Sequence, residues 1–383
     1  MSVCGASSFK KGERIKGKGA RLKTQRCYFY LYPLAFFLLP FMVMNPDNFS
    51  GWLAETAKHI GAHSAACLRL DNPLMRDQCA EQQQRTSAWL DAGLHGAMDY
   101  LARLQPDRYS PWTRFSFARS VIILTFANRW SDPAATHPFP APPADALLGY
   151  VSSYVRTADY HTTGRGMLDE LARRLGHDIH CAATVDTGPV DERLLAIAGG
   201  LGIQGGNNLL RLPDLGTRVF IGCLFVELEL PEVIAETQFP FACDDCRACA
   251  RNCPTGALTY GEQFDARQCI SYLTIEKPGL LTHAEGESIG AWLFGCDNCT
   301  AVCPPAVADL RIPVDLEWLL TASSGDIARI IKGTAMAYAG VTRLRRNAVA
   351  ILKNQNSPRA LALLDRVART TGSELIREQI AAW

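Results

Sequence analysis

The chain has almost no net charge: 39 basic side chains stand against 38 acidic ones, a formal +1 over 383 residues. That excludes a chain-wide pull toward nucleic acid or an anionic membrane surface, so any such attraction must be local. No twin-arginine pair precedes the one long apolar stretch, residues 27–44, which excludes twin-arginine export. Pro33 and Pro40 interrupt those eighteen residues. The stretch is near the lower limit for crossing a bilayer and makes a poor helix. No strand–turn–helix unit of the dinucleotide type stands out, so no nicotinamide site is expected. The glycine-rich run through Gly202, Gly205 and Gly206 is not read as that fingerprint or as a P-loop. Its glycines suit close backbone approach to a bulky ligand. Charged residues at 20% and hydrophobic ones at 48% describe a folded chain, not a disordered one.

Cysteine is plentiful, with fourteen in all, and eight of them are patterned. Cys243, Cys246, Cys249 and Cys253-Pro254 spell C-x2-C-x2-C-x3-C-P, the bacterial ferredoxin signature. Two-residue gaps let consecutive thiolates turn toward one cluster, and the cysteine before the proline crosses to a second. The second motif, Cys296, Cys299 and Cys303-Pro304, is one cysteine short, and Cys269 is the available replacement. The expected ligand sets for two [4Fe-4S] clusters are Cys243, Cys246, Cys249 with Cys303, and Cys253, Cys269, Cys296 with Cys299. A zinc module is the plainer alternative, but crossed spacing and two Cys-Pro pairs are not expected of it. Thiolate ligands call for a reducing compartment, hence a cytoplasmic location. Cys181 and Cys223 stand in apolar surroundings and read as small buried hydrophobes.

Residues 1–44 form a basic then apolar extension with no expected folding role; a membrane tether is the alternative, and no stable membrane partner is expected. Residues 45–240 alternate helical and strand patterns in an α/β domain. Helices are expected over 49–65, 87–103 and 163–175, and strands over 121–126, 180–185 and 219–230. Residues 241–310 form the metal-organised module. Residues 311–383 read as a stack of short helices. The fold class is therefore α+β. From Ile331 onward there are nine basic and three acidic side chains. This local surplus could serve a polyanion such as RNA, or be no more than a solvated helix face. About two hundred residues precede the cysteine region and eighty follow it. A carrier ferredoxin needs far less, so the surplus favours an enzyme whose clusters feed an attached redox site, with electrons from an external low-potential donor.

Several further stretches occur in a telling order: Asp159-Tyr160-His161, Val185-Asp186-Thr187-Gly188-Pro189, Gly200-Leu201-Gly202 and Leu228-Glu229-Leu230-Pro231. They continue with Cys253-Pro254-Thr255-Gly256-Ala257, the segment from Cys269 to Glu276, Phe294-Gly295-Cys296-Asp297, Gly333-Thr334-Ala335 and Arg346-Asn347-Ala348. Over residues 45–365 this resembles the epoxyqueuosine reductase family. The resemblance implies an N-terminal cobalamin-binding domain, a ferredoxin-like double-cluster domain and C-terminal helical repeats that help hold tRNA, in a monomer. It implies reductive loss of the epoxide oxygen of epoxyqueuosine at the tRNA wobble position. It assigns Asp186 as the catalytic proton donor, with burial raising its pKa; a plain turn-capping role is the alternative. Tyr160, His161, Gly202, Gly205 and Asn207 are the expected corrinoid contacts, with Asp159 beside them. Phosphate contacts are expected from Lys332, Arg343, Arg345, Arg346 and Lys353. The family's usual Gly-Leu-Gly-Trp-Ile-Gly-Lys-Asn-Thr is here Gly-Leu-Gly-Ile-Gln-Gly-Gly-Asn-Asn over residues 200–208, lacking an aromatic residue and a lysine. That departure leaves open a corrinoid iron–sulfur reductase of another electrophile, including a dehalogenase. An electron-transfer protein with no substrate of its own is the reading from a different class.

Overall fold

The run Ser-Val-Ile-Ile-Leu-Thr-Phe-Ala forms a strand because it has no polar face to offer water; seven of its eight residues are buried. A strand apolar on both sides needs cover on both sides, and it receives it. Even-numbered Ile122, Leu124 and Phe126 join one core with Phe49, Leu53 and Leu168. Odd-numbered Val121 and Ile123 join another with Met75, Leu194 and Phe225.

The computed structural model describes residues 46–127, 138–156, 158–176, 178–239, 242–259, 264–307 and 311–382. The expected extension, residues 1–44, lies outside them. In chain order the first elements are α1 (Pro46–Ile60), β1 (Ser64–Arg69), α2 (Pro73–Asp91), α3 (Tyr100–Arg108), β2 (Ser120–Ala127) and β3 (Leu148–Val151). Then come α4 (Tyr160–Leu175), β4 (Cys181–Thr184), α5 (Glu192–Ala198), β5 (Ile203–Gln204), β6 (Leu210–Arg211) and β7 (Val219–Val226). A four-stranded sheet runs in the order β1-β2-β7-β4, antiparallel throughout. Helices α1 and α4 cover one face and α2 and α5 the other.

Three boundaries differ from those read in sequence. The helix expected over 49–65 stops at Ile60, where Gly61 takes φ +87°, and β1 follows. The helix expected over 87–103 is two helices, parted by Gly93 and Gly96 at φ +66° and +61°, a conformation that ends a helix at little cost only for glycine. Helix α4 starts earlier than Thr162, because Asp159 caps it and accepts a bond from His161 N at 3.0 Å.

Strand β8 (Trp292–Phe294) lies within the cysteine region, between Cys269 and Cys296; beyond that region come β9 (Ile312–Asp315), α6 (Leu316–Thr321), α7 (Ser324–Ile331), α8 (Gly340–Gln355), α9 (Pro358–Thr370) and α10 (Glu374–Ala381). Strand β3 pairs in parallel with β8 and antiparallel with β9. A single core joins Val151, Leu293, Val314 and Ile351, so segments expected to be successive domains share one interior. Among the described residues no helix is long and apolar enough to cross a membrane.

The basic tail is used differently from expectation. Arg346 is 1% exposed and donates to the carbonyls of Leu273, Lys277 and Gly279 at 2.6–3.0 Å. Arg345 donates to Leu319 O at 3.1 Å and to Ala322 O, and Arg343 to Ile275 O. Arg346 thus has its guanidinium committed inside the fold, while Arg343 and Arg345 are half-buried. Lys332 is exposed.

Candidate active site

A cavity of about 970 Å³ opens between the sheet and the cysteine region. Its wall includes Tyr160, Asp186, Glu192, Phe220, Gly205 and Asn207, and six cysteines: Cys243, Cys249, Cys253, Cys269, Cys296 and Cys299.

Asp186 follows β4 with φ +59°, the left-handed region that a non-glycine residue enters at a cost and that clusters at functional sites. It does not cap the next helix. Asp191 does that, accepting from Leu194 N at 3.1 Å. The Asp186 carboxylate is 60% exposed into the cavity. Tyr160 Oη donates to its Oδ2 at 2.5 Å. His161 Nε2 lies 3.3 Å from the same oxygen, an ion-pair distance, while His161 Nδ1 meets Asp159 Oδ1 at 2.7 Å. The Tyr160 ring is fixed between the Phe220 ring and the His161 ring, each 4.1 Å away.

This geometry corrects the expected electrostatics of Asp186. Its enclosed position pushes the carboxyl up, but the bonds from His161 and Tyr160 outweigh that, and the group is held below the usual carboxylate range. His161 moves the other way. Partial burial lowers it, yet Asp159 and Asp186 together raise it to about 9. At neutral pH the proton of the pair therefore sits on the imidazole.

Sequence reasoning missed Glu192, in the first turn of α5. It is 7% exposed, and its Oε1 has no hydrogen-bond partner among the described residues. Burial pushes it up to about 8, with help from Asp186 and Asp191 against Arg108. It is a neutral acid on the same cavity wall as an ionised one. Its signal in the sequence was slight: one Glu between Asp191 and Arg193 at the head of an apolar helix.

The glycine-rich loop divides in its roles. Gly200, Gly202 and Gly205 have the G-x-G-x-x-G spacing, but they follow helix α5 and lead into the β5–β6 hairpin, the reverse of a dinucleotide unit. Gly202 packs on the hairpin, where a Cβ would meet Arg211 O at 2.6 Å; it stands behind the cavity instead of lining it. Gly205 and Asn207 do line it. Asn207 is buried and donates to Thr217 Oγ1 at 2.9 Å. Gly206 brings the loop onto the cysteine region, since a Cβ there would lie 3.3 Å from Cys249 Sγ.

The thiols fall into two electrostatic neighbourhoods. Cys249 feels Cys303 and Cys243, and Cys303 feels Cys243. Cys296 feels Cys269 and Cys253, and Cys299 feels all three of these as well as Cys249. Burial pushes Cys249, Cys269 and Cys303 up, and Cys296 to about 12. Such thiols resist ionising by themselves, and binding iron would supply the missing positive charge. The remaining buried cysteine of β7, Cys223, is fully enclosed and packs as expected, while Cys181 of β4 is half-buried.

A protein that gathers patterned thiols beside a ligand-sized cavity moves electrons to something held there: this is an iron–sulfur oxidoreductase. Residues 242–306 match the family model of a 4Fe-4S double cluster binding domain. Residues 103–187 match the model described as epoxyqueuosine reductase QueG, DUF1730. The epoxyqueuosine reductase of Vibrio cholerae is 31% identical over 327 residues, covering 79% of this chain and 84% of that protein. That of Pseudomonas aeruginosa is 32% identical, with 79% and 86% covered. The chain belongs to the epoxyqueuosine reductase family. The fold agrees. A crystal structure of epoxyqueuosine reductase with a tRNA-Tyr epoxyqueuosine-modified stem loop superposes with a TM-score of 0.73 at 24% identity, covering 88% of this chain and 89% of that one. The Streptococcus thermophilus enzyme gives 0.72 at 21% identity, with 87% and 88% covered.

Proposed function

We propose that this chain reduces epoxyqueuosine to queuosine at the wobble position of tRNA, with two [4Fe-4S] clusters and a corrinoid as resident groups. One observation carries the reading: a single cavity of about 970 Å³ presents Asp186 and Tyr160 together with cysteines of both sets. The ligands are Cys243, Cys246, Cys249 and Cys303 for one cluster, and Cys253, Cys269, Cys296 and Cys299 for the other. The donor set fits, because the buried thiols need a cationic partner to ionise.

The cavity fits a corrinoid in three respects. Its volume is at the upper end for small-molecule sites. Phe220 and Tyr160 give it a flat aromatic wall. Gly205 and Gly206 keep side chains out of its floor. When bound, the corrinoid supplies low-potential electrons at the carbon–oxygen bond.

Removing an epoxide oxygen as water takes two electrons and two protons. The protein's part is the protons and the fit. Asp186 reaches into the cavity as a carboxylate and relays to the departing oxygen a proton taken from His161. His161, 3.3 Å behind it, holds that proton at neutral pH and replaces it. Asp159 fixes the imidazole through Nδ1, so Nε2 faces Asp186. Tyr160 orients the carboxylate. The tRNA reaches the cavity with its anticodon loop, where a single unpaired base can be presented to a pocket. Exposed Lys332 and half-buried Arg343, Arg345 and Lys353 remain phosphate contacts in this reading; buried Arg346 does not. A need for reduced thiolates favours the cytoplasm in this reading, with an external low-potential donor as the source of electrons.

The test is anaerobic purification, iron and cobalt analysis, and incubation with a reductant and epoxyqueuosine-bearing tRNA. Eight irons, bound corrinoid and queuosine in the digested tRNA are expected. Full cluster loading with no corrinoid uptake would overturn the cofactor reading. Uptake without queuosine would overturn the substrate reading.

A further inference from the structure

The two thiol sets sit in opposite electrostatic settings. Arg211, on β6, is 1% exposed, and its Nη1 lies 3.8 Å from Cys243 Sγ. Its guanidinium also stands 5.2 Å over the Phe239 ring, which helps hold it in place. Arg218 is 8% exposed. It donates to Cys303 O and Thr300 O at 3.3 Å and to Pro305 O at 2.7 Å, so a second buried cation is clamped to the turn from Thr300 to Pro305, where Cys303 is the thiol whose charge it meets. The other set has the reverse. Asp297 directly follows Cys296 and is 8% exposed. Ser152 Oγ donates to it, and so does Ser153 N at 2.7 Å. These bonds fix the side chain beside Cys296.

The exposed charges nearby do not undo this contrast. Asp244 and Asp245, Arg247 and Arg251 balance in number and face water, where charges are heavily screened. Buried charges are not.

An iron–sulfur cluster gains a negative charge when it is reduced, and its potential follows the net charge and hydrogen bonding around its sulfurs. A fixed cation beside one cluster favours its reduced form; a fixed anion beside the other disfavours it. We propose that Arg211 and Arg218 make the cluster of Cys243, Cys246, Cys249 and Cys303 the higher-potential member of the pair, and that Asp297 makes the cluster of Cys253, Cys269, Cys296 and Cys299 the stronger reductant. The first electron to enter the protein then rests on the arginine-flanked cluster. The carboxylate-flanked cluster is reduced last and donates most forcefully. Arg211 and Arg218 are tuning residues here; they touch no substrate.

The inference rests on the two-cluster assignment above, and iron content separates the two questions: fewer than eight irons in the wild-type protein rejects the assignment itself. With eight, an anaerobic redox titration followed by electron paramagnetic resonance should resolve two midpoints. Arg211→Gln should lower the higher midpoint by about 59 mV or more, a tenfold change in a one-electron equilibrium, and move the lower one by less. Arg211→Lys should restore most of the shift. Equal midpoints in the wild type, or a fully loaded Arg211→Gln protein with an unmoved higher midpoint, would overturn the proposal. If Arg211→Gln fails to load eight irons, Asp297→Asn decides: it must raise the lower midpoint, and no movement rejects the asymmetry.

Discussion

The sheet layer and the cysteine region lie against each other and are built on unlike principles. In the sheet layer, β2 and β7 are buried almost end to end, and helices seal both faces. Apolar burial at about 25 cal/mol per Å² makes such a layer self-sufficient. The later part of the cysteine region packs Ile270, Leu273 and Leu293 into the core of the C-terminal helices, but its first part has helices of only four residues, Cys243–Cys246 and Ala248–Arg251, with no buried residue in either. A segment like that cannot repay its chain entropy by packing. It must be organised by what its thiols bind, as metal-folded modules are. The difference teaches where each part of the reaction can be located: protons on the rigid sheet, electrons in the metal-ordered loop.

The strongest way to break this comparison is to remove one crossing ligand. Cys253→Ala should cost at least one cluster, four of eight irons. Hydrogen exchange should quicken over residues 242–306, while the amides of β2 and β7 keep their protection. If the sheet amides lost protection to the same degree, the two regions would be one cooperative unit and the contrast would fail.

Next in size is the proton site. Asp186→Asn should lower turnover about 10²–10⁴-fold with eight irons retained, because the sheet carries the residue without needing the metal. The wild-type pH profile has a worked sign. His161 is raised from 6.5 to about 9, so its contribution is full below 6.5 and is lost as pH rises through about 9. Asp186 is lowered from 3.8, so its contribution is present above that and is lost only as pH falls through the lowered value. Turnover should fall above about pH 9, and His161→Gln should abolish that limb along with most of the rate. A limb unchanged in His161→Gln would assign it to another group.

How much of this was open to sequence reading depended on how local the physics is. Cluster spacing is local: two-residue gaps and a following proline point seven thiols to iron–sulfur binding without any fold, and only Cys269 had to be added from a distance. Strand β2 was equally plain, because a run with no polar residue to expose has few alternatives. Glu192 was not legible. Its neutrality comes from enclosure by α5, Arg108 and two other carboxyls, none of which a lone Glu announces. Arg346 misled for the same reason. A guanidinium contributes equally to a charge count whether it meets phosphate or the carbonyls of Leu273, Lys277 and Gly279.

Glu192 sharpens the comparison on the sheet side. Its carboxyl ionises near 8 in the folded chain against an ordinary 4.5. The folded state thus holds the extra proton through that window, and stability should fall as pH rises from about 4.5 to 8, by up to about 1.4 kcal/mol per pH unit. Glu192→Gln should flatten that slope in denaturant titrations at several pH values. An unaltered slope would mean that the carboxyl is ionised and paired.

Smaller again, and aimed at the seam between the regions, is Arg346→Met. The side chain ties α8 to three carbonyls just after the cysteine ligand Cys269. Leaving those carbonyls buried and unpaired should cost about 1–3 kcal/mol. The damage should appear first as quicker iron loss from the second cluster, since the carbonyls that Arg346 holds follow Cys269 within the same buried segment. Lys332→Ala, in contrast, should leave stability and iron retention unchanged. It should weaken tRNA binding a few-fold and reduce the salt dependence by roughly one unit of slope. The pair therefore separates the two uses of positive charge in one short stretch of chain. A tRNA defect in Arg346→Met with iron retention intact would put that guanidinium on the RNA, and the internal ties drawn here would not be its main work.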